Sequence, residues 1–346
     1  MPGIDFYCLP TMIGSLPHTD PVEACNRVMH YLKDLPAWPQ LPRRSFLENM
    51  YVQYSEGFPG IVVHDEKIFV DRAKDLDKDL EKLYSAYLDN DCSRYPISRE
   101  YAAGLYQCLR YAGSDLNIAG IKGQVTGPVS WGMTVTDNDG RAIAYDETLI
   151  DAVAKLLKMK AAWIEGELRK LSRNTVIFLD EPYLHSIGSA FFALSKEKVV
   201  DLIKEVFTGI GGLKGIHCCG RSDWSILLST GLDILSFDAY NYAHTLTLYP
   251  EEVKDFLGKG GVIAWGIVPV EEDKLKPETA ASLQDRLEEA MAPLTRKGFG
   301  IPFRQLVARS LVTPGCGMSA TLSPESAEHA LELLAGLSDR IRKKYR

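Results

Sequence analysis

The chain has 346 residues, of which 46% are hydrophobic and 25% charged, and its formal net charge is −7. This composition is typical of a globular protein with a large core, and an α/β barrel of this length forms one domain, here 1–346. The acidic balance argues against nucleic acid and membrane surfaces as partners. The longest apolar run, GVIAWGIVPV, is far shorter than the roughly 20 residues that span a bilayer.

The amino-terminal segment and the cysteine content bear on location. MPGIDFYCLP lacks the basic start and the apolar run of a signal peptide. Seven cysteines, an odd number in a long chain, indicate reduced thiols. Together these features predict a cytoplasmic protein.

Short β-rich runs alternate with amphipathic segments along the chain. The predicted strands are 8–15, 60–70, 116–127, 175–182, 215–220, 233–240, 261–269 and 311–316. Several are apolar without strict alternation, as in strands covered by helices on one side and packed inside on the other. Eight such strands predict a (β/α)8 TIM barrel, with a doubly wound open sheet as the alternative. No GxGxxG or GxxxxGK[ST] motif follows a strand, so nucleotide-binding folds lack their fingerprint.

Helical periodicity is clearest between the later strands. The predicted helices are 149–171, 197–207, 221–230, 276–296 and 323–344. The last begins with Ser323 and Pro324, an N-cap residue followed by a first-turn proline. By contrast, PAWPQLPRRSF at 36–46 is too rich in proline for an uninterrupted helix. We interpret 36–58 as an insertion over the barrel mouth, acting as a lid or as a plain surface loop.

Residues of the types that bind metals lie at the ends of three predicted strands. They are His217, Cys219, Asp238 and Cys316, in the segments GIHCCG, LSFDAY and VTPGCG. Strand alternation puts His217 and Cys219 on one side and Cys218 on the other. An imidazole, two thiolates and a carboxylate form a tetrahedral zinc set, and ligands on separate strands predict a site at a barrel mouth. The alternatives are cysteines that only fill the core and an aspartate that only caps a loop.

Five motifs in chain order resemble one family. They are IGSLP (13–17), VTGPVSW (125–131), FLDEPYL (178–184), HCC (217–219) and TPGCG (313–317). They are similar to segments of the C-terminal catalytic barrel of cobalamin-independent methionine synthases. That family belongs to the superfamily of uroporphyrinogen decarboxylase and the corrinoid-dependent thiol methyltransferases. The likeness extends over most of the chain.

The resemblance implies a zinc-dependent thiol S-methyltransferase that converts homocysteine to methionine. In that family the zinc ligands match His217, Cys219 and Cys316, and Asp238 stands where a glutamate is usual. A zinc ion would deprotonate a substrate thiol, whose pKa is ordinarily ~8.5, near neutral pH. The resemblance further assigns Asp180 as the catalytic residue that holds the substrate ammonium. The expected substrate-binding residues are Ile13, Ser15, Asp180 and Glu181, although Asp180 and Glu181 also fit a helix N-cap.

The methyl donor is the point at which this chain departs from the two-barrel synthases. It has room for one barrel, and the half that helps those synthases hold folate is missing from it. Single-barrel relatives imply a methylcorrinoid donor and a corrinoid protein as a possible partner. The alternatives are methyltetrahydrofolate as donor and another acceptor thiol such as coenzyme M. Two further hypotheses are a decarboxylase, for which Arg43 and Arg44 would bind carboxylates, and a corrinoid- or thiol-binding accessory subunit.

Overall fold

The computed structural model describes residues 5–113, 116–189, 192–296 and 298–346. Its strands are β1 (Leu9–Pro10), β2 (Ile61–His64), β3 (Lys67–Val70), β4 (Ile121–Thr126), β5 (Thr136–Asp137), β6 (Thr175–Asp180), β7 (Leu213–Cys218), β8 (Ile234–Phe237), β9 (Val262–Val268) and β10 (Ser310–Pro314). Its helices are α1 (Pro21–Tyr31), α2 (Leu76–Leu88), α3 (Ala103–Cys108), α4 (Pro128–Thr134), α5 (Glu147–Leu168), α6 (Lys196–Phe207), α7 (Trp224–Leu228), α8 (Ala239–Tyr242), α9 (Pro250–Gly258), α10 (Glu272–Leu275), α11 (Ala280–Met291), α12 (Phe303–Ala308) and α13 (Pro324–Tyr345). Short 3₁₀ turns cover Phe46–Glu48, Cys92–Arg94, Leu109–Tyr111, Ile143–Tyr145, Pro182–Ser186, Ala243–Leu248 and Ala292–Thr295.

The main sheet is a curled sheet of seven parallel strands within the described residues. Its order is β1-β10-β9-β8-β7-β6-β4. The first and last strands of the sheet in sequence are neighbours, with Leu9 opposite Leu311. Parallel neighbours need crossover connections, and helices such as α6 and α7 provide them between β6, β7 and β8. The predicted α/β class with a parallel sheet is therefore confirmed.

The proline-rich segment 36–40 lies between the two edges of this sheet. It makes one parallel bridge to each edge, Ser15 with Gln40 and Ala37 with Lys122. The backbone N–H of Gln40 donates to the carbonyl of Gly14 at 3.0 Å, on the first edge. Proline favours an extended conformation in the residue before it, which suits a strand-like path here. The first part of the predicted insertion thus contributes backbone to the sheet.

The second predicted strand, 60–70, does not join the main sheet, so that prediction was wrong. Strands β2 and β3 form an antiparallel hairpin, and β3 pairs in parallel with β5. The hairpin turns at Asp65 and Glu66, whose φ angles of 49° and 56° suit a tight two-residue turn. The β-branched and aromatic residues that predicted a strand fit a half-exposed hairpin equally well.

Helices α5 and α13 begin close to their predicted starts at 149 and 323, and a side chain caps each one. Asp146 accepts hydrogen bonds from the backbone of Thr148 and Leu149 at the start of α5. Ser323 accepts one from the backbone N–H of Ser326, and Pro324 is the first residue of α13. The predicted helix 276–296 is shorter, because a capping box of Thr279 with Ser282 starts α11 later.

The inner face of the main sheet changes from apolar to polar along the strands. Its lower part is a compact cluster that includes Leu9, Phe178, Leu213, Ile234, Ala264 and Leu311. Two residues further along a strand the same face is reached again. The buried polar side chains found there include Thr11, Asp180, Ser236 and Thr313, and His217 follows on β7. These residues lie toward the carboxyl ends of the strands, where barrel enzymes carry their sites.

Helices cover the outer face and bury a second, larger hydrophobic cluster against the sheet. Among the described residues, no helix combines the length and the apolar character that crossing a membrane would require.

Candidate metal centre at the carboxyl ends of the strands

Three of the four predicted metal-binding side chains converge. One ligand atom each of His217, Cys219 and Cys316 lie within 4.8 Å of one another. His217 is the penultimate residue of β7, Cys219 follows that strand, and Cys316 follows β10. The strand ends therefore bring the three side chains together.

The imidazole of His217 is oriented for ligation. Its Nδ1 lies 3.0 Å from the hydroxyl Oγ of Ser236, the residue opposite it on β8. Its Nε2 is buried and has no hydrogen-bond partner among the described residues. A hydrogen-bonded Nδ1 with a free Nε2 is the usual arrangement of a metal-binding histidine.

The chemistry of this donor set fits a zinc ion. One imidazole nitrogen and two thiol sulfurs are ligand types that zinc prefers. The neighbouring Cys219 thiol, and then burial, hold the pKa of Cys316 well above its usual range. A bound cation would reverse this effect, because it favours the thiolate form of a coordinating cysteine.

Cys218 faces away from the cluster, as strand alternation predicts. It belongs to the hydrophobic cluster between sheet and helices. Burial raises the pKa of its thiol to about 12. The outer cysteine is thus an apolar packing residue beside the inner histidine.

Asp238 stands beside the cluster with its carboxylate turned to a helix. Oδ1 accepts a hydrogen bond from the backbone N–H of Asn241 at 3.1 Å, and Oδ2 accepts one from the Asn241 side chain at 2.6 Å. It is the N-cap of α8. A Cβ built on Gly315 would lie 3.0 Å from its Oδ1, so the carboxylate borders the turn before Cys316. The structure leaves Asp238 outside the three-residue group.

Asp180 ends β6 on the inner face, directly opposite His217. It is only 7% exposed, and its Oδ1 has no hydrogen-bond partner in the described part of the chain. Burial raises the pKa of Asp180 above its ordinary value, and the positive charges of Lys122 and His217 oppose that rise. A buried carboxylate with one free oxygen beside the cluster is suited to accept hydrogen bonds from a cationic ligand.

Glu181 has a different environment, in which both carboxylate oxygens are used. Oε1 accepts from the backbone N–H of Val129 at 3.0 Å. Oε2 accepts from the backbone N–H and the hydroxyl of Ser130, at 2.7 and 2.5 Å. A Cβ on Gly127 would lie 2.2 Å from this carboxylate, so only glycine fits there. Glu181 therefore caps the amino end of α4 and ties the TGPV turn to β6.

Ile13 and Ser15 lie in the segment that follows β1. The backbone carbonyl of Ser15 accepts from the N–H of Met318 at 3.0 Å. A Cβ on Gly317 would lie 2.2 Å from Ser15 Oγ, which places this hydroxyl against the turn that carries Cys316. The carbonyl of Ile13 accepts from Lys122 Nζ at 2.6 Å. Ser15 thus borders the turn that carries Cys316, and Ile13 is held by Lys122.

Three residues at or near the site were not predicted from the sequence. Ser236 and Lys122 lie on the inner face, and alternation along β8 and β4 was a signal that would have found them. Tyr51 comes from the predicted insertion, and its backbone carbonyl accepts from Trp131 Nε1 at 2.9 Å. Its phenol is close enough to Glu181 and Cys219 for their charges to raise its pKa, after burial as the main cause. No local pattern marks that tyrosine.

Solved structures resemble this chain over nearly its whole length. A B12-independent methionine synthase from Shewanella sp. W3-18-1, in complex with selenomethionine, has a TM-score of 0.59 and 15% identity, and the match covers 97% of this chain and 98% of that one. A methyltransferase from Methanosarcina mazei has a TM-score of 0.57 and 14% identity, with 95% and 87% covered. No protein-family model and no curated protein matches the chain. At these identities the likeness shows a shared fold, that of methyltransferases built on a curled parallel sheet.

Proposed function

We propose that this protein is a zinc-dependent thiol S-methyltransferase that methylates homocysteine to methionine. The observation that carries the proposal is the convergence of a ring nitrogen of His217 with the thiols of Cys219 and Cys316 within 4.8 Å, while Nε2 of His217 has no hydrogen-bond partner in the described part of the chain. The fold shared with a methionine synthase and a methyltransferase supports the methyl-transfer class.

Each residue of the site has a role in this proposal. Zinc, when bound, would lower the pKa of the substrate thiol toward neutrality. His217, Cys219 and Cys316 would hold the ion, and Asp180 would accept hydrogen bonds from the substrate ammonium. Asp238 is proposed as a fourth, exchangeable ligand. Its carboxylate would have to leave Asn241, so it would be held weakly and yield readily to an incoming thiol.

We further propose that the chain is one domain, 1–346, with a closed (β/α)8 barrel. The bridges of segment 36–40 to both sheet edges support it as the eighth strand position. The rest of the predicted insertion, to residue 58, would cover the mouth. Its carbonyls at Met50 and Tyr51 accept hydrogen bonds from Thr126, the last residue of β4, and from Trp131 in α4.

The proposed donor is a methylcorrinoid, free or on a partner protein, and the proposed location is the cytoplasm. A purified, zinc-loaded protein incubated with homocysteine and methylcobalamin should release methionine, measured by mass spectrometry. A parallel reaction with methyltetrahydrofolate tests the other donor, and coenzyme M tests the other acceptor. Methionine from the folate alone would overturn the donor. A zinc-loaded protein that methylates no thiol from either donor would overturn the function.

Metal content separates this proposal from a decarboxylase. One tightly held zinc per chain supports methyl transfer, whereas a cofactor-free decarboxylase has no use for the cluster. Arg44, a candidate for binding substrate carboxylates, is engaged by Glu48 at 2.5 Å and by the carbonyl of Glu100 at 3.0 Å. An accessory subunit would bind zinc and thiol without turnover, which the methyl-transfer assay detects.

A further inference from the structure

Lys122 is a buried charge that the proposed chemistry leaves without a role. It is the second residue of β4 and has no exposed surface. Its Nζ donates to the carbonyl of Ile13 at 2.6 Å and to Oε1 of Gln124 at 3.2 Å. It also lies 4.4 Å from the centroid of the Phe178 ring. Burying an ammonium is unfavourable unless partners compensate its charge, so the position of Lys122 requires a physical reason.

The position of Lys122 relates it to the carboxylate of Asp180. Phe178 precedes Asp180 by two residues on β6, so both side chains lie on the same inner face. The ammonium is thus below the carboxylate in the interior of the sheet. Burial lowers the pKa of Lys122, and the negative charge of Asp180 opposes that change.

Lys122 also holds the segment that follows β1. Its bond to the Ile13 carbonyl holds the segment that continues to Ser15 and the Cys316 turn. Gln124 is itself held, because its Nε2 donates to the carbonyl of Trp38 at 3.1 Å. A Cβ on Gly14 would lie within 2.8 Å of Gln124, so this amide packs directly on the backbone of the same segment. The ammonium of Lys122 therefore binds the Ile13–Ser15 segment and lies beneath Asp180 on β6. These are the two elements that border the proposed substrate site.

We propose that Lys122 is a positioning residue for the amino-acid end of the thiol substrate, holding the Ile13–Ser15 backbone and supplying the counter-charge beneath Asp180. The inference rests on the proposed function. It specifies that the acceptor thiol carries an ammonium group, which Asp180 receives with its free Oδ1. Lys122 itself touches no substrate and acts through these two elements.

The chain offers a matched control in Lys160. This lysine of α5 is also without exposed surface, and its Nζ donates to the carbonyl of Pro96 at 3.1 Å. Lys160→Met removes a buried ammonium and one hydrogen bond outside the site. Lys122→Met likewise removes a buried ammonium inside the site, together with its two hydrogen bonds to Ile13 and Gln124. Lys122→Gln is a second variant that keeps an amide donor while losing the charge.

The test is a calorimetric titration of zinc-loaded wild-type protein and the three variants with homocysteine and with 1-propanethiol, which lacks the amino-acid end. We expect both Lys122 variants to bind homocysteine about tenfold or more weakly, because a charge-assisted arrangement is lost. Their zinc content and their affinity for 1-propanethiol should match the wild type. Lys160→Met should match it for both thiols. In the methyl-transfer assay the Lys122 variants should raise KM for homocysteine more than they lower kcat.

Wild-type affinity for homocysteine in a folded Lys122 variant would overturn the inference. So would an equal loss for both thiols, an equal loss in Lys160→Met, or a wild-type protein that does not bind homocysteine. The double variant with Asp180→Asn adds a check, because two residues that act together should show non-additive losses. A wild-type protein that binds homocysteine but transfers no methyl group would overturn the proposed function, while the titration would still decide the role of Lys122.

Discussion

At the scale of single residues, the two thiols of the cluster are not interchangeable with the third cysteine beside them. Cys316→Ser should sharply lower the zinc content of the purified protein, because a hard alcohol replaces the soft thiolate that zinc prefers. Cys218→Ser should keep nearly one zinc per chain, since its side chain packs in the outer hydrophobic cluster. Plasma mass spectrometry after dialysis measures both. If Cys218→Ser lost zinc while Cys219→Ser kept it, the assignment of His217 and Cys219 to the inner face of the sheet would be wrong.

Asp238 allows a second prediction, because its carboxylate already has partners. Asp238→Ala should retain zinc on the three remaining ligands and lose about 1 kcal/mol of stability with the cap of α8. Asp238→Asn keeps a capping oxygen and should be nearly as stable as the wild type. Zinc analysis and urea unfolding measure the two properties. Zinc loss in Asp238→Ala as large as in Cys316→Ser would instead make the carboxylate a principal ligand.

At the scale of elements, Glu181 connects β6 to the amino end of α4. Burial raises its pKa from 4.5 to about 7, so between those values the folded protein holds a proton that the unfolded chain has released. The stability contributed by this group is complete below about pH 4.5 and is lost as the pH rises toward 7. The glutamine in Glu181→Gln does not titrate. The free energy of unfolding of this variant should therefore fall less steeply between pH 4.5 and 7 than that of the wild type. Urea unfolding at a series of pH values measures the difference, and identical slopes would contradict it.

The contact between α3 and segment 36–40 gives a prediction about packing. A Cβ on Gly104 would lie 1.9 Å from the carbonyl oxygen of Pro39, so Gly104→Ala should displace this segment and destabilise the protein. Apart from its chain neighbours and its own helix backbone, no described atom lies within 4 Å of the Cβ position of Gly166, in α5. Gly166→Ala should therefore stabilise by up to about 1 kcal/mol through helix propensity alone. Thermal unfolding of both variants provides the comparison, and a stabilised Gly104→Ala protein would contradict the close approach.

At the scale of the whole molecule, two hydrophobic clusters stabilise the fold, and we expect it to persist without the metal. Chelation of zinc should leave the circular dichroism spectrum unchanged and lower Tm, because an ion that binds only the folded state adds stability by mass action. Readdition of zinc should restore Tm, and Cys316→Ser should show little dependence of Tm on zinc. Calorimetry with and without chelator measures this. Complete unfolding of the chelated protein would mean that the ion is structural.

Local sequence patterns were enough to predict the orientation of some side chains and the start of some helices. Alternation along GIHCCG separated His217 from Cys218, because successive side chains of a strand point to opposite faces whatever the strand packs against. Ser323 and Pro324 predicted the start of α13 for a similar reason, since a cap satisfies backbone groups only a few residues away. Such features depend on near neighbours in the chain, and the sequence contains those neighbours.

Other features of the fold depend on contacts between residues that are distant in the sequence. The segment 36–40 follows the edges of the main sheet while 60–70 forms a separate hairpin, although 60–70 has the stronger strand composition. Glu181 caps a helix that begins more than fifty residues before it, which no local motif around Glu181 indicates. In each case the free energy depends on which backbone groups and which buried surfaces the folded chain brings alongside. Sequence alone determined which residues were available for the site, and only the tertiary contacts decided which became caps, which became sheet, and which remained free to bind.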